Sequence, residues 1–118
     1  MILHEIKELL NARVLACEEN LDMDIKCVFG SDLMSDVLAL VMCDTILLTG
    51  LTNIQTVRTA EMMDIKCIIF VRNKVPDVQT IELAKEKGIC LMTTKNILFN
   101  TCGILYNSGL KGAEINND

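Results

Sequence analysis

Gly30-Ser31-Asp32-Leu33-Met34-Ser35-Asp36-Val37-Leu38-Ala39 is the stretch from which the fold is read. It follows an apolar run, Ile25 to Phe29, and passes from glycine through hydroxyl and carboxylate residues into helically spaced apolar side chains. That order is strand, turn, helix. It brings helix-start N–H groups and short polar side chains to the C-terminal end of a strand, where open α/β sheets hold ligands. The same order is also a simple helix start, with Ser or Asp accepting a bond from the first turn.

Working outward, the alternation continues. Leu3, Ile6, Leu9 and Leu10 share a helical face that Asn11 can end, and Arg13 to Cys17 reads as a short strand. Asp24 to Phe29 gives a second strand. Leu33, Val37, Leu40 and Val41 then carry the helical period, with Asp32 as N-cap and Asp36 where acid suits the helix dipole. Thr45 to Thr49 reads as a strand closed by Gly50, and Thr52 or Asn53 caps a helix bearing Ile54, Val57, Ala60 and Met63. Lys66 to Val71 contains Ile68-Ile69-Phe70-Val71, apolar at every position, as in a strand covered on both faces. Pro76-Asp77 opens a helix with Val78, Ile81 and Ala84 inward, and Gly88 ends it. Ile89 to Met92 is the last predicted strand. Thr93-Thr94 caps a final helix with Ile97, Leu98, Thr101, Ile104 and Leu105 inward and Gly109 as its stop.

The pattern predicts an α/β domain over residues 1–110. Its mainly parallel sheet of about four to five strands is flanked by helices in a Rossmann-like three-layer arrangement. The polar tail 111–118 is expected to fray. Met23-Asp24-Ile25-Lys26-Cys27 is echoed by Met63-Asp64-Ile65-Lys66-Cys67, two similar strand starts with no third copy.

Composition narrows the function classes. The 118 residues are 51% hydrophobic but only 3% aromatic, so the core must be built from Ile, Leu, Val, Met and Cys. A mean hydropathy of +0.37 is high for a small chain. It calls for a sheet covered on both faces, or for apolar surface buried between subunits of a homodimer. Net charge is -5 and Trp is absent. Nucleic-acid binding needs a basic stripe and stacking aromatics, and the chain has neither. Met1 to Glu8 lacks a cationic leader pattern, and the apolar stretch Val37 to Leu51 is broken by Asp44 and Gly50, so a cytoplasmic chain without a membrane span is expected. The six cysteines (Cys17, Cys27, Cys43, Cys67, Cys90, Cys102) stand singly in apolar runs with no C-x-x-C pair. They read as small buried hydrophobes of a reducing compartment; a metal site would need distant segments and His4, so no metal or other cofactor is expected.

The inventory of catalytic templates comes up short. The only histidine, His4, lies far from Ser31 and Asp32, which argues against a Ser-His-Asp arrangement. Neither a Walker A loop nor a dinucleotide fingerprint is present, and Gly50-Leu51-Thr52-Asn53, the nearest phosphate-cradling turn, has no lysine. Asp32 and Asp36 lie one turn apart without a third ligand or a nucleophile, and read as helix-start acids. One set converges. Ser31, Asp32, Thr49, Gly50, Asn53, Arg72, Thr93 and Thr94 all follow predicted parallel strands and would share one rim. A rim of hydroxyls, amides and one arginine suits a polar or phosphorylated small ligand better than bond breaking.

Gly30 to Ala39, the Thr49-Gly50 strand end, Asn53-Ile54-Gln55 and the P-D-x-x-T-I-E-x-A-x-x-x-G-I run from Pro76 to Ile89 together resemble a DRTGG domain. The resemblance covers nearly the whole chain. It implies a Rossmann-like fold similar to the N-terminal domain of HPr kinase/phosphorylase, paired as a dimer, with a regulatory role and no catalysis of its own. Similar domains occur in phosphotransacetylases and in CBS-domain pyrophosphatases, beside nucleotide-sensing regions. Stand-alone members resemble proteins encoded near iron-only hydrogenase components. Two motif positions differ here: the Asp-Arg pair is absent near Leu51-Thr52, and Val71-Arg72-Asn73 stands where Thr-Gly-Gly is expected. The kinase P-loop is absent too. The expected function is a non-catalytic regulatory or ligand-sensing homodimer for a nucleotide or other phosphorylated small molecule. The alternatives are a redox- or metal-responsive cysteine protein, a pure protein-interaction domain of a hydrogenase-linked system, and a small enzyme acting at Ser31–Asp32.

Overall fold

The computed structural model describes residues 1–41 and 43–116. In chain order the elements are α1 (Leu3–Leu10), β1 (Arg13–Ala16), a 3-10 turn (Glu18–Asp22), β2 (Cys27–Gly30), α2 (Met34–Val37) and β3 (Thr45–Thr49). They continue as α3 (Ile54–Met62), β4 (Cys67–Phe70), α4 (Val78–Lys87), β5 (Cys90–Thr93), α5 (Leu98–Asn107) and β6 (Lys111–Gly112). Among the described residues the strands form one six-stranded sheet in the order β1-β5-β4-β3-β2-β6. Between these six strands every pairing is parallel except β1 with β5.

The layers follow from the strand order. From β2 to β5 the chain steps across the sheet in one direction, so right-handed crossovers put α2, α3 and α4 on one face. In agreement, α3 packs on both α2 and α4. The chain then returns to the far edge to form β6. That return puts α5 on the opposite face, where it packs against α1, β2 and β3. Strands β3, β4 and β5 lie between the two helical layers and are buried at every position. Their continuous apolar character is the consequence.

Local signals set the helix ends. Asn11 adopts the left-handed conformation that closes α1, and Gly88 does the same for α4 at φ 70°. Asp77 Oδ1 accepts from Thr80 N–H at 2.8 Å to start α4, and Asn53 Oδ1 accepts from Thr56 N–H at 3.1 Å to start α3. Each satisfies an orphan N–H of the first turn.

The structure corrects the sequence reading at several points. The helix expected from Asp32 through Val41 is a single turn, with only Val37 buried and Leu33, Leu38 and Val41 exposed. Beyond it the backbone pairs with the C-terminal segment instead. Val41 N–H donates to Glu114, Asn116 N–H to Ala39 and Ala113 N–H to Val28. Through Asn116 the tail is therefore not frayed: Lys111–Gly112 adds a sixth strand beside β2, and Leu40 bridges Ile115. The last two positions of the expected tail, Asn117 and Asp118, lie outside the described residues.

At the other end of the sheet, Thr93 and Thr94 do not cap α5, which begins after Ile97 with no side-chain cap. Ile97, expected inward, is exposed, as are Val78 on α4 and Leu9 on α1. The cysteines are not all separate thiols: Cys27 and Cys43 are joined as a disulfide with a Cα–Cα distance of 6.5 Å. The reason is register. Cys27 lies opposite Thr45 in the β2–β3 ladder, so Cys43 is brought beside it from across the crossover.

Candidate functional site

The C-terminal ends of the parallel strands gather the rim. At the end of β2, Leu33 N–H donates to Ser31 Oγ at 3.0 Å, a serine turn that steers the chain out of the strand. Asp32 does not cap the helix that follows. Its Oδ1 accepts from the Thr49 hydroxyl at 2.9 Å and from Gly50 N–H at 2.7 Å, tying the end of β2 to the end of β3. Thr49 Oγ1 accepts in turn from Leu51 N–H at 3.1 Å. The Asp32 carboxyl is held below the ordinary aspartate range, chiefly by the Gly50 N–H. The Thr49 hydroxyl and the charges of Arg72 and Lys74 act in the same sense, against the opposing effect of burial.

Arg72 and Asn73 follow β4 with φ of 57° and 56°, two consecutive non-glycine residues in the left-handed region. Such residues cost free energy and persist only where neighbours fix them. Here Arg72 N–H donates to Asn96 at 2.9 Å and Asn73 N–H to Thr94 at 2.8 Å. These are the two positions where the DRTGG resemblance expects Gly-Gly, the residues that adopt such angles freely. The turn also sets the Arg72 guanidinium over Gly50: a Cβ added to Gly50 would lie 3.3 Å from Arg72 Nη2 and 3.6 Å from the Asp32 carboxylate. Asp32, Thr49, Gly50 and Arg72 therefore form one cluster, with Ser31 beside Asp32 in the serine turn.

The other candidates serve the fold. Asn53 is occupied in capping α3. The Thr93 hydroxyl donates to the Lys74 carbonyl at 2.7 Å, and the buried Thr94 hydroxyl donates to the Leu10 carbonyl at 2.8 Å. Strands β4 and β5 send their next helices to opposite faces, the topology that leaves a ligand crevice in open α/β sheets. In this chain that crevice is stitched shut by the bonds between the Arg72–Lys74 and Thr93–Asn96 segments. Sequence reasoning misses Lys74 and Asn96 as members of this edge. A signal for them exists in Asn73, a residue that tolerates the left-handed turn directly after a buried strand.

The thiols form a separate inventory. Cys67 and Cys90 lie opposite each other on β4 and β5, both buried, and burial pushes the Cys67 thiol well up. Burial also raises Cys17 and Cys102. Among the described residues no group of three His, Cys, Asp or Glu side chains could hold a metal ion.

Fold and rim together define a parallel α/β domain with a mixed-charge polar edge. No family model matches the sequence, and no curated protein matches it. Among solved structures the chain is similar to the CBS and DRTGG domains of the regulatory region of Clostridium perfringens pyrophosphatase, complexed with the activator diadenosine tetraphosphate. The TM-score is 0.74 at 20% sequence identity, over 91% of this chain and 46% of that one. The chain thus spans about half of that structure, and the likeness is one of fold. Among the described residues no helix is long and apolar enough to cross a membrane.

Proposed function

We propose that this chain is a DRTGG-type regulatory module that works in the cytoplasm as a homodimer and senses a nucleotide or other phosphorylated small molecule at the Ser31–Asp32–Gly50–Arg72 rim. The observation that carries the reading is the Arg72-Asn73 turn. A strained backbone is held in place by two cross-loop hydrogen bonds, and it presents an exposed guanidinium over Gly50 with Lys74 nearby. The similarity to a regulatory region solved with a nucleotide activator points the same way. The apolar surplus of the sequence supports the homodimer.

No reaction is proposed for the rim. A general acid or base needs a pKa near the working pH, whereas Asp32 is held ionised by two donors. His4 lies on α1, 3.7 Å from Glu8, and is not part of the cluster. Thermal-shift measurements with nucleoside mono-, di- and triphosphates, dinucleoside polyphosphates and inorganic phosphate test the ligand. At least one should raise the melting temperature in wild type, and Arg72→Gln should abolish that rise. No shift with any of them refutes the sensing role and leaves a protein-interaction domain.

A redox-responsive reading is favoured by one observation, the Cys27–Cys43 pair that closes the β2–β3 crossover. Labelling of native and reduced protein, described below, tests it.

A further inference from the structure

We propose that two copies of this chain associate through α5, about a two-fold axis passing near Gly103. The inference rests on the homodimer reading above and says which surface makes the contact. The chain has only three phenylalanines and one tyrosine. Two of these four, Phe99 and Tyr106, stand outward on α5 at 81% and 76% exposure, while Thr101 and Leu105 face the sheet. Between them lies Gly103, and beside them an apolar groove of about 360 Å³ whose walls include Val28, Leu110 and Gly112.

Charge selects a second copy as the occupant. Leu98–Asn107 carries no charged residue, whereas α1, α2, α3 and α4 each carry at least one. For a chain of net charge -5, a helix face without an acidic residue, beside a groove whose one charged wall residue is Lys111, is where two copies meet with least repulsion. The spacing is self-complementary as well. Phe99 and Tyr106 flank Gly103 by four and three residues, one helical turn on either side. Antiparallel apposition of two α5 helices about Gly103 sets Phe99 of one copy beside Tyr106 of the other, the reciprocal contact that two-fold symmetry requires.

No close contact within one copy calls for a glycine at position 103. A Cβ added there meets nothing within 4 Å, and glycine is a poor residue for a helix interior. Close approach of another helix gives it a purpose. Two aromatic side chains of this exposure supply about 250–350 Å² per copy, roughly a third to a half of the ~800 Å² that a standard interface buries on each side. The groove walls extend the same surface.

Sedimentation velocity from low micromolar to about 100 μM is the test, on wild type, Phe99→Ser, Gly103→Glu and the control Arg58→Glu on α3. Because the Gly103 Cβ direction is open, Gly103→Glu should keep its fold, checked by circular dichroism. Wild type and the control should be dimers, and both α5 variants should dissociate roughly thirtyfold more readily or worse. If wild type is a dimer and both α5 variants remain equally dimeric, the interface lies elsewhere and the proposal is wrong, while the homodimer reading stands. A wild-type monomer throughout refutes the homodimer reading and this inference with it.

Discussion

Asp32→Ala removes the one carboxylate that joins the ends of β2 and β3. Two donors lose their acceptor, the Thr49 hydroxyl and the Gly50 N–H, and Thr49 is fully buried. Hydrogen bonds to a charged group contribute about 1.5–3 kcal/mol each when sheltered. Asp32 itself is exposed, so solvent screening and replacement by water reduce the pair to about 2 kcal/mol in total. For a domain of this length that lowers the melting temperature by about 8 °C. The effect depends on pH. Because the folded carboxyl is held below its ordinary value, its stabilisation is complete above the unfolded value of about 3.9 and is lost as pH falls through the folded value. Urea unfolding of wild type and variant at neutral pH and again near pH 3 measures both parts. The gap should be full at neutral pH and narrower in acid. An equally stable variant at neutral pH, or a gap that does not narrow in acid, refutes the charged-acceptor account of this cluster.

Two further outcomes are expected. In native protein, alkylation should be slow at Cys17, Cys67 and Cys90, which are buried, and reductant should newly expose Cys27 and Cys43 to labelling. Fast labelling of Cys67 or Cys90 would contradict the packed β4–β5 pair, and no gain on reduction would remove the redox reading. Truncation after Leu110 deletes β6 and the partner of Val41 N–H, so hydrogen exchange at Val41 should accelerate while the β3–β4 ladder keeps its protection. Unchanged exchange at Val41 would mean that the tail does not pair there.

The parallel core is legible because its signal is local. Ile46-Leu47-Leu48 and Ile68-Ile69-Phe70 are apolar at consecutive positions, and strands covered on both faces accept that pattern. Asn53, Asp77 and Gly88 mark helix ends by short-range bonds that sequence spacing displays. The misread elements depend on distant partners. Lys111–Gly112 looks like a polar tail until β2 offers it an open edge, and Val41 looks like a helix face until Glu114 offers it an acceptor. The Cys27–Cys43 pair is likewise invisible until the β2–β3 register is known.

The rim is legible as a set of positions but not as a set of roles. Asp32 reads as a cap because a helix follows it, yet its donors come from Thr49 and Gly50, 17 and 18 residues away. Thr94 reads as a rim hydroxyl, yet it closes on Leu10, 84 residues away. Arg72 is where departure from the DRTGG pattern that the sequence resembles and demand on the backbone coincide. Glycine would adopt its φ without strain, whereas arginine carries a cost of about 1–2 kcal/mol. With glycine there, the cluster around Gly50 would present the Asp32 carboxylate opposed by Lys74 alone. With arginine, one carboxylate faces two cations, and the proposed site is suited to an anion over a metal cation. The sign of that local charge, set by one strained residue, is why a phosphorylated ligand is proposed for the rim.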